Sequence, residues 1–310
     1  MRIAIMGAGG VGGYFGALLA RAGEDVTFIA RGEHLEAMKR NGLQIRSPEG
    51  DFKIEVKATN DPSDVGPMDL VLFCVKAYDT EEAAVQVKPM ISEDTTVISL
   101  QNGVEKEDML GRILGTEHIM GGLCGVSAFI EAPGVITHHA GKLLTFGEMD
   151  GSQSTRGKRI WEVLKNADIN AILSQDIIKA EWEKFTFICA VAGLCCLTRL
   201  PMVTIFQLKE IKQLYIDTMK EVIQVGRKRG VDLDQEELIE RFLNIMKGAS
   251  PEIQPSMLRD LENGKQVEVE PLHGTVVRFG RALEVPTPIT KVIYACLKVV
   301  NEENRRRSQT

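Results

Sequence analysis

The sequence predicts an α/β fold in two domains: a mostly parallel sheet with helices on both faces over residues 1–175, and an all-helical domain over residues 176–310. In the first part, short β-rich apolar runs alternate with amphipathic runs, an order typical of a parallel sheet covered on both faces. After Gln175 the apolar residues recur at helical spacing, with almost no strand-like alternation. The length of 310 residues, about twice that of a usual domain, agrees with two units.

Strands and helices alternate along the first domain. The predicted strands are residues 3–6, 26–30, 70–75, 97–100, 119–123 and 171–173. The predicted helices are residues 11–21, 33–40, 81–87, 106–114 and 156–165. Two further segments, 43–58 and 128–147, contain Pro–Gly turn signals and indicate hairpins that add antiparallel strands to the sheet.

The second domain contains only helical patterns. The predicted helices are residues 177–197, 209–229, 234–246, 267–282 and 289–300. The breaks between them are marked by Pro201, 230–232, 250–255, Asn263-Gly264 and the pair Pro286 and Pro288. We expect the tail NEENRRRSQT to be frayed and solvated, rather than an arm that binds nucleic acid.

Composition and charge exclude several classes of protein. The chain has 37 basic and 43 acidic residues, and this net charge of −6 argues against binding to nucleic acid or to an anionic membrane. No uninterrupted apolar run of about 18 residues predicts a membrane span, and the glycine-rich N-terminus is unlike a signal peptide. The six cysteines form no C-x-x-C pair and the histidines show no zinc-site spacing. We therefore expect a cytoplasmic protein with reduced thiols and no metal.

A glycine-rich loop follows the first predicted strand. Its residues are Gly7, Ala8, Gly9, Gly10, Val11 and Gly12. They fit the pattern G-x-G-x-x-G between a strand and a helix, in which the glycines permit a tight turn, a close approach of backbone to a pyrophosphate, and close packing of helix on strand. The loop predicts a dinucleotide site; the alternative is a glycine-rich turn without a ligand.

Arg31 ends the second predicted strand, where an acidic residue would bind the 2′-hydroxyl of NAD. An arginine there matches the charge and geometry of a 2′-phosphate, and no Asp or Glu lies between Val26 and Glu33 to compete with it. The sequence therefore predicts NADP(H) rather than NAD(H). The alternative is that Arg31 merely ends a surface strand.

Two later strand ends also point to the edge of the sheet where ligands of such folds bind. The triplet Val75-Lys76-Ala77 follows LVLFC, and the triplet Gln101-Asn102-Gly103 follows VISL. From the residues alone, a lysine such as Lys76 is more often a solvated residue at a strand end, and an asparagine such as Asn102 is more often a turn residue.

The motifs of the whole chain together resemble one family. They are GAGGVG, Arg31, VKAYDT with Lys76, QNGV with Asn102, WEKF with Lys184, SMLRD with Ser256, and K-x-x-E at residues 265–268. Their order and spacing resemble those of ketopantoate reductase (2-dehydropantoate 2-reductase). The resemblance implies a Rossmann-like N-terminal NADP-binding domain and a helical C-terminal substrate and dimerisation domain. The implied reaction is NADPH-dependent reduction of ketopantoate to pantoate, in pantothenate and coenzyme A biosynthesis.

The resemblance also implies roles for individual residues. By position, Lys184 matches the general acid and a substrate contact, and Asn102 matches the active-site asparagine that also contacts the cofactor. Ser256 matches the serine that holds the substrate carboxylate. Lys76 and Glu268 match contacts to the cofactor, Glu268 at the nicotinamide ribose.

The helical pattern around Lys184 is compatible with the role of general acid. The residues at helical spacing from Lys184 are apolar: Phe187, Ile188, Val191, Ala192 and Cys195. Burial of an ammonium group in such surroundings would lower its pKa toward the range in which it can protonate a nascent alkoxide. The alternative is a lysine whose chain passes Trp182 and Phe185 to reach solvent.

Three positions depart from the family pattern. Ile188 and Ala192 stand where family members usually carry asparagines, and His273 stands where another asparagine is usual. Because the loss of hydrogen bonds to a substrate hydroxyl weakens discrimination, the substrate is ketopantoate or another, more apolar 2-keto acid. His273 is either a replacement polar contact or a plain helix residue.

The sequence is also compatible with two other functions. One is a dehydrogenase of a β-hydroxy acid or a sugar phosphate, although few basic residues lie near the expected substrate site. The other is a non-catalytic sensor that binds NADPH. We expect a homodimer, because the helical domain has long apolar faces.

Overall fold

The computed structural model describes residues 1–248 and 254–307. The chain divides into two compact units: unit 1 is Met1–Gln101 with Glu105–Ile177, and unit 2 is Asn102–Val104 with Ile178–Thr310. Unit 1 is an α/β unit with a mostly parallel sheet, and the described part of unit 2 is helical. The predicted fold class is therefore confirmed.

The sheet of unit 1 has ten strands within the described residues. They are β1 (Arg2–Met6), β2 (Asp25–Ile29), β3 (Leu43–Arg46), β4 (Phe52–Ile54), β5 (Lys57–Thr59), β6 (Leu70–Phe73), β7 (Thr96–Ser99), β8 (Ile119–Ala132), β9 (Val135–Gly147) and β10 (Asn170–Leu173). Their order is β4-β3-β9-β8-β7-β6-β1-β2-β5, and β10 pairs with β9. In the run β8-β7-β6-β1-β2-β5, every pair of neighbouring strands is parallel. The pairs β8–β9 and β3–β4 are antiparallel.

Helices cover both faces of this sheet. They are α1 (Gly10–Arg21), α2 (Gly32–Asn41), α3 (Thr80–Val87), α4 (Lys106–Leu114) and α5 (Thr155–Asn166). Successive side chains of a strand point to opposite faces, so Ile3 and Ile5 pack in one core with residues of α1, α2 and α5. Ala4 and Met6 pack in a second core with residues of α3 and α4. The central strand β1 is thus buried on both sides.

The two predicted hairpins are only partly correct. β3 and β4 form the first hairpin, but β5 pairs in parallel with β2 instead of extending it. β8 runs without a break through the region that the sequence divides into a strand and a separate hairpin. A Cβ at Gly122 would overlap Ile98, and a Cβ at Gly121 would lie 2.8 Å from Ile177. These glycines therefore serve close packing within a continuous strand.

Unit 2 is built from helices around one apolar core. They are α6 (Ile177–Thr198), α7 (Met202–Ile205), α8 (Lys209–Lys228), α9 (Gln235–Lys247), α10 (Ser256–Glu262), α11 (Thr275–Ala282) and α12 (Pro288–Arg307). Buried side chains of these helices, among them Trp182, Tyr215, Leu258 and Ile293, form a single cluster. Of the predicted breaks, 250–253 lies outside the described residues.

The helix predicted over residues 267–282 is wrong in its first half. Residues 263–269, which we call the 263–269 segment, are irregular, and a π-helix follows at Glu270–Gly274. The amide of Gly274 donates to the carbonyl of Val269 at 2.9 Å, a π-helical bond, and Pro271 lacks an amide hydrogen. The apolar spacing that predicted a helix reflects burial of the segment, because Val267 and Val269 are both core residues.

The expectation of a frayed tail is wrong for the described residues up to 307. α12 continues to Arg307, and Asn301 and Asn304 on this helix are buried. The charged residues next to these asparagines are exposed. These charged residues are the reason why the sequence predicts a solvated tail. Residues 308–310 of the predicted tail lie outside the described residues.

Neither a membrane span nor a metal cluster is found among residues 1–248 and 254–307. None of their helices is long and apolar enough to cross a bilayer. None of their His, Cys, Asp and Glu side chains form a group of three or more that could hold a metal ion.

Candidate functional site

The glycine-rich loop connects the end of β1 to the start of α1. Gly7 has a φ of +99°, a conformation that favours glycine, and a Cβ there would lie 2.8 Å from the amide nitrogen of Val75. The amides of Gly7 and Ala8 donate to the carbonyl of Ile29, which ties the loop to the end of β2. By contrast, the space around Gly9 is open, with no atom within 4 Å of a Cβ built there. The loop therefore has the tight turn and the open backbone that a pyrophosphate requires.

The remaining glycines of the loop have structural roles. A Cβ at Gly12 would overlap the carbonyl of Gly7, in keeping with close packing of α1 on the strand. A Cβ at Gly10 would overlap the carbonyl of Ala128 in β8 and would lie 2.7 Å from the Cα of Phe129. This contact with β8 gives Gly10 a role in packing, and its contact with the cofactor stays a prediction.

Arg31 lies between β2 and α2 with an exposed side chain. Its Nη2 is 3.1 Å from Oδ2 of Asp79, a residue just before α3. One edge of the guanidinium therefore contacts a carboxylate.

α2 is tied to the turn between β8 and β9 by His34, whose Nδ1 accepts a hydrogen bond from the amide of Gly134 at 3.0 Å. Burial lowers the pKa of His34 and favours the neutral ring that this bond requires.

Lys76 follows β6 and is half-buried. The strand end beside it is held by Gln101, whose Nε2 donates to the carbonyl of Val75 at 3.0 Å and to Oγ1 of Thr80 at 2.8 Å. Ser99 in turn donates to Oε1 of Gln101 at 3.0 Å. Gln101 thus joins the ends of β6 and β7. The sequence gave it no role, because its partners are 21 and 26 residues away.

Asn102 belongs to unit 2 although the strand before it belongs to unit 1. Gly103, with a φ of +105°, lies against the π-helix, and a Cβ there would be 3.2 Å from the carbonyl oxygen of Pro271. Val104 packs against the apolar core of unit 2. The loop Asn102–Val104 therefore places Asn102 in the same compact unit as Lys184, Ser256 and Glu268.

Lys184 lies on α6 and is half-buried. Of its apolar neighbours at helical spacing, Val191, Ala192 and Cys195 are buried, whereas Phe187 and Ile188 are half-buried. Glu181, three residues before Lys184, is only 5 % exposed. Because residues three apart are neighbours on a helix, this buried acid lies one turn from the lysine. No local pattern in the sequence points to Glu181.

Glu268 and Ser256 differ in their surroundings. Glu268 is 5 % exposed and lies in the 263–269 segment, just before the π-helix. Two asparagines of α12 bind the backbone of that segment: Oδ1 of Asn301 accepts from the amide of Val267, and Nδ2 of Asn304 donates to the carbonyl of Lys265. Ser256 is exposed at the start of α10.

His273 of the π-helix is completely buried. Its Nε2 lies 2.9 Å from the carbonyl oxygen of Cys189 in α6, so this nitrogen carries the hydrogen and donates it. Nδ1 is then an acceptor, and it has no partner within the described residues. Burial lowers the pKa of His273 to about 4, against the opposing effect of the bond to Cys189. The geometry favours the interpretation of His273 as a packed helix residue.

The predicted site residues therefore fall into two groups. Gly7, Gly9, Gly12, Arg31 and Lys76 lie in unit 1, at the carboxyl ends of β1, β2 and β6. The second group, Asn102, Lys184, Ser256 and Glu268, lies in unit 2. The structure thus gathers in one unit four polar residues that are up to 166 positions apart in the sequence.

The fold defines a class: the chain is a Rossmann-like α/β protein with a helical second unit. The family model "Ketopantoate reductase PanE/ApbA" matches residues 3–151, and "Ketopantoate reductase PanE/ApbA C terminal" matches residues 176–301. The chain belongs to the ketopantoate reductase family.

Similar proteins cover the chain almost end to end. An uncharacterized oxidoreductase, YkpB, of Bacillus subtilis is 32% identical over 98% of this chain and 100% of its own length. A 2-dehydropantoate 2-reductase of Mesorhizobium japonicum is 30% identical over 96% of this chain and 97% of its own. The crystal structure of a PanE/ApbA family ketopantoate reductase from Ralstonia eutropha has a TM-score of 0.91 at 33% identity, and covers 98% of this chain and 100% of that chain.

Proposed function

We propose that the protein uses NADPH to reduce the ketone of a 2-keto acid, and that ketopantoate is the substrate, with pantoate for pantothenate and coenzyme A biosynthesis as the product. The observation that carries the proposal is the family match over residues 3–151 and 176–301, on a chain that keeps the glycine loop and the four polar residues of unit 2. The reaction follows from the chemistry of those residues.

The residues of unit 1 fit a dinucleotide. Gly9 leaves open the space that a pyrophosphate needs, and Gly7 provides the tight turn between β1 and the start of α1. The exposed guanidinium of Arg31 is suited to a 2′-phosphate, and Lys76 adds positive charge. NADPH, when bound, supplies hydride to the carbonyl carbon. These features support NADP(H) over NAD(H).

The residues of unit 2 would handle the substrate and a proton. Lys184 donates a proton to the carbonyl oxygen as that oxygen becomes an alkoxide, and Asn102 orients the reacting groups. The hydroxyl of Ser256 donates a hydrogen bond to the substrate carboxylate, to which its exposed position gives access. Glu268 holds the ribose of the cofactor through its carboxylate.

A second candidate is reduction of a 2-keto acid with a more apolar side chain. Ile188 and Ala192 lie one and two turns after Lys184 and offer no polar atom to a substrate hydroxyl. The Nε2 of His273 is occupied by the carbonyl of Cys189. The apolar side chains of Ile188 and Ala192 and the occupied Nε2 of His273 therefore favour a substrate more apolar than ketopantoate.

A panel assay tests the function. NADPH oxidation is followed with ketopantoate, with 2-keto acids of increasing apolar side chain and with no acid, and the panel is repeated with NADH. We expect turnover with ketopantoate and a higher kcat/KM with NADPH than with NADH. Turnover only with an apolar 2-keto acid supports the second candidate. Binding of NADPH without turnover of any acid would make the protein a sensor, and a clear NADH preference would refute the role of Arg31.

The proposal includes a cytoplasmic homodimer. All six cysteines lie within the described residues and are free thiols, as expected in a reducing compartment. Unit 2 exposes several large apolar side chains: Leu197, Leu200, Leu208 and Leu214 on α6 to α8, and Val292 and Val299 on α12. Exposed apolar surface of this kind supports self-association. The molar mass from light scattering decides between monomer and dimer.

A further inference from the structure

The 263–269 segment carries Glu268 on irregular backbone. In a helix, the backbone amides and carbonyls bind one another, but an irregular buried segment needs other partners for them. Val267, Glu268 and Val269 are all at most 5 % exposed, so water is a poor partner here. The position of the Glu268 carboxylate therefore depends on whatever holds this backbone.

Two side chains of α12 hold it on the N-terminal side of Glu268. Oδ1 of Asn301 accepts from the amide of Val267 at 2.7 Å, and Nδ2 of Asn304 donates to the carbonyl of Lys265 at 2.9 Å. The orientation of each side-chain amide is fixed, because a backbone amide only donates and a carbonyl only accepts. Both asparagines are buried, which protects these bonds from competition with water.

The C-terminal side of Glu268 is held by the π-helix. The carbonyl of Val269 accepts from the amide of Gly274 at 2.9 Å. The π-helix is itself braced by its first residue: Glu270 accepts from the hydroxyl of Tyr294 at 2.8 Å and pairs with Lys298 at 3.0 Å. Glu268 thus lies between two fixed points, and α12 contributes to both.

We propose that Asn301 and Asn304 are positioning residues, which fix the backbone that bears Glu268 and thereby set the affinity for the nicotinamide cofactor. This inference rests on the proposed function through the role given to Glu268. A purely structural role, in which the two asparagines only anchor the end of α12, would change stability without changing cofactor binding.

The opposite hydrogen-bonding roles of the two asparagines give the test. Asn301→Asp keeps an acceptor for the amide of Val267, whereas Asn304→Asp replaces the donor by a carboxylate that faces the carbonyl of Lys265. We expect Asn304→Asp to weaken NADPH binding roughly tenfold in a fluorescence titration of the full chain. Asn301→Asp should stay within about threefold of wild type, and Asn301→Ala should resemble Asn304→Asp. Glu302→Ala, exposed on the same turn of α12, is the matched control.

A double-mutant cycle excludes a merely structural effect. If the asparagines act through Glu268, adding Asn304→Asp to Glu268→Ala weakens NADPH binding no further than Glu268→Ala alone. Additive losses, or NADPH affinities equal to wild type in all asparagine variants, would overturn the inference. The melting temperature of each variant shows separately how far the helix end has loosened.

Hydrogen exchange tests the geometry without any cofactor. The amide of Val267 should exchange at least about tenfold faster in Asn301→Ala than in wild type or Asn301→Asp. Equal exchange in all three chains would overturn the inference. A wild-type chain that neither binds NADPH nor reduces any 2-keto acid would instead refute the proposed function, and the exchange experiment would still decide whether Asn301 holds the segment.

Discussion

Lys184 is the residue on which the proposed chemistry depends most. It is half-buried on α6, among apolar neighbours and one turn from the buried Glu181. A group that protonates the developing alkoxide acts chiefly in the transition state, so its loss should affect turnover more than binding.

We therefore predict that Lys184→Ala lowers kcat roughly 10²–10⁴-fold and leaves the dissociation constant of NADPH nearly unchanged. The matched control is Lys179→Ala on the same helix, where the lysine pairs with Asp232 at 3.7 Å. Steady-state kinetics and a binding titration measure both quantities. Wild-type turnover in Lys184→Ala would remove this lysine from the mechanism.

His273 makes a prediction about stability and pH. Burial lowers its pKa to about 4, whereas the pKa in the unfolded chain is that of an ordinary histidine, about 6.5. Between these pH values the unfolded state binds more protons than the folded state, so the free energy of unfolding decreases as the pH falls. The decrease in the free energy of unfolding is complete below pH about 4 and amounts to roughly 3 kcal/mol.

Denaturant unfolding at a series of pH values checks this effect. Replacement of His273 by Asn removes the titrating group, so the difference in stability between wild type and His273→Asn should change between pH about 6.5 and 4 and be constant above that range. Parallel curves for the two proteins across this range would contradict the burial of a neutral ring.

At the scale of elements, the adjacent glycines Gly9 and Gly10 at the start of α1 differ in the space around them. Gly10 lies under the carbonyl of Ala128, whereas Gly9 faces open space and has a φ of −73°, which alanine adopts without strain. Adjacent glycines of one motif therefore differ in what a methyl group would do.

We predict that Gly10→Ala lowers stability by about 1–3 kcal/mol, because the backbone of α1 or β8 must shift. Gly9→Ala should keep the wild-type melting temperature but weaken NADPH binding at least about tenfold, because its methyl group would occupy the space assigned to the pyrophosphate. Thermal unfolding and an NADPH titration are measured on both variants, and each variant is the control for the other. Normal NADPH binding by Gly9→Ala would contradict the cofactor role of the loop.

Elements with a local signal could be predicted from the sequence. α1, α3 and α4 begin and end within one residue of their predicted bounds, because strand and helix patterns alternate and turn residues separate them. The irregular backbone at residues 267–269 could not be predicted, because the buried Val267 and Val269 produce the same apolar spacing in a helix and in an irregular segment. The role of Asn301 could not be predicted either, because its partner Val267 is 34 residues away and a single buried asparagine produces no periodic pattern.

The same distinction applies to the candidate site. The glycine loop and Arg31 are predictable because their signals are local: a strand, a turn and a helix follow one another, and the end of β2 is a fixed distance along the chain. Lys184, Ser256 and Glu268 were assigned only through the family resemblance, because no local pattern relates three such distant residues. Gln101 was missed because its role consists of contacts to other strand ends.

At the scale of the whole molecule, unit 1 has two apolar cores and unit 2 has one, and each unit contains one tryptophan. Trp161 of unit 1 donates to the carbonyl of Ala171 at 3.0 Å, and Trp182 of unit 2 is buried in the helical core. The sequence contains two tryptophans, so each single-tryptophan variant reports the unfolding of one unit.

We predict that NADPH at about 100 times its dissociation constant raises the unfolding midpoint reported by Trp161 in Trp182→Phe, corresponding to roughly 2.7 kcal/mol of stabilisation. The reason is that the glycine loop, Arg31 and Lys76 all lie in unit 1. Fluorescence-detected thermal unfolding with and without NADPH makes the comparison, and Trp161→Phe reports the other unit. A shift seen only by Trp182 would contradict the assignment of the dinucleotide to unit 1.

The three-residue loop Asn102–Val104 has a consequence for the exchange of parts between relatives. The chain passes from one unit to the other at residue 102, returns at 105 and crosses again after Ile177, so no single cut separates the two units. A chimera spliced only after Ile177 would combine the loop of one parent with the helical unit of the other, so Gly103 would no longer face the Pro271 of its own chain. Recombination between homologous genes must therefore transfer two separate stretches of coding sequence together to keep each unit whole.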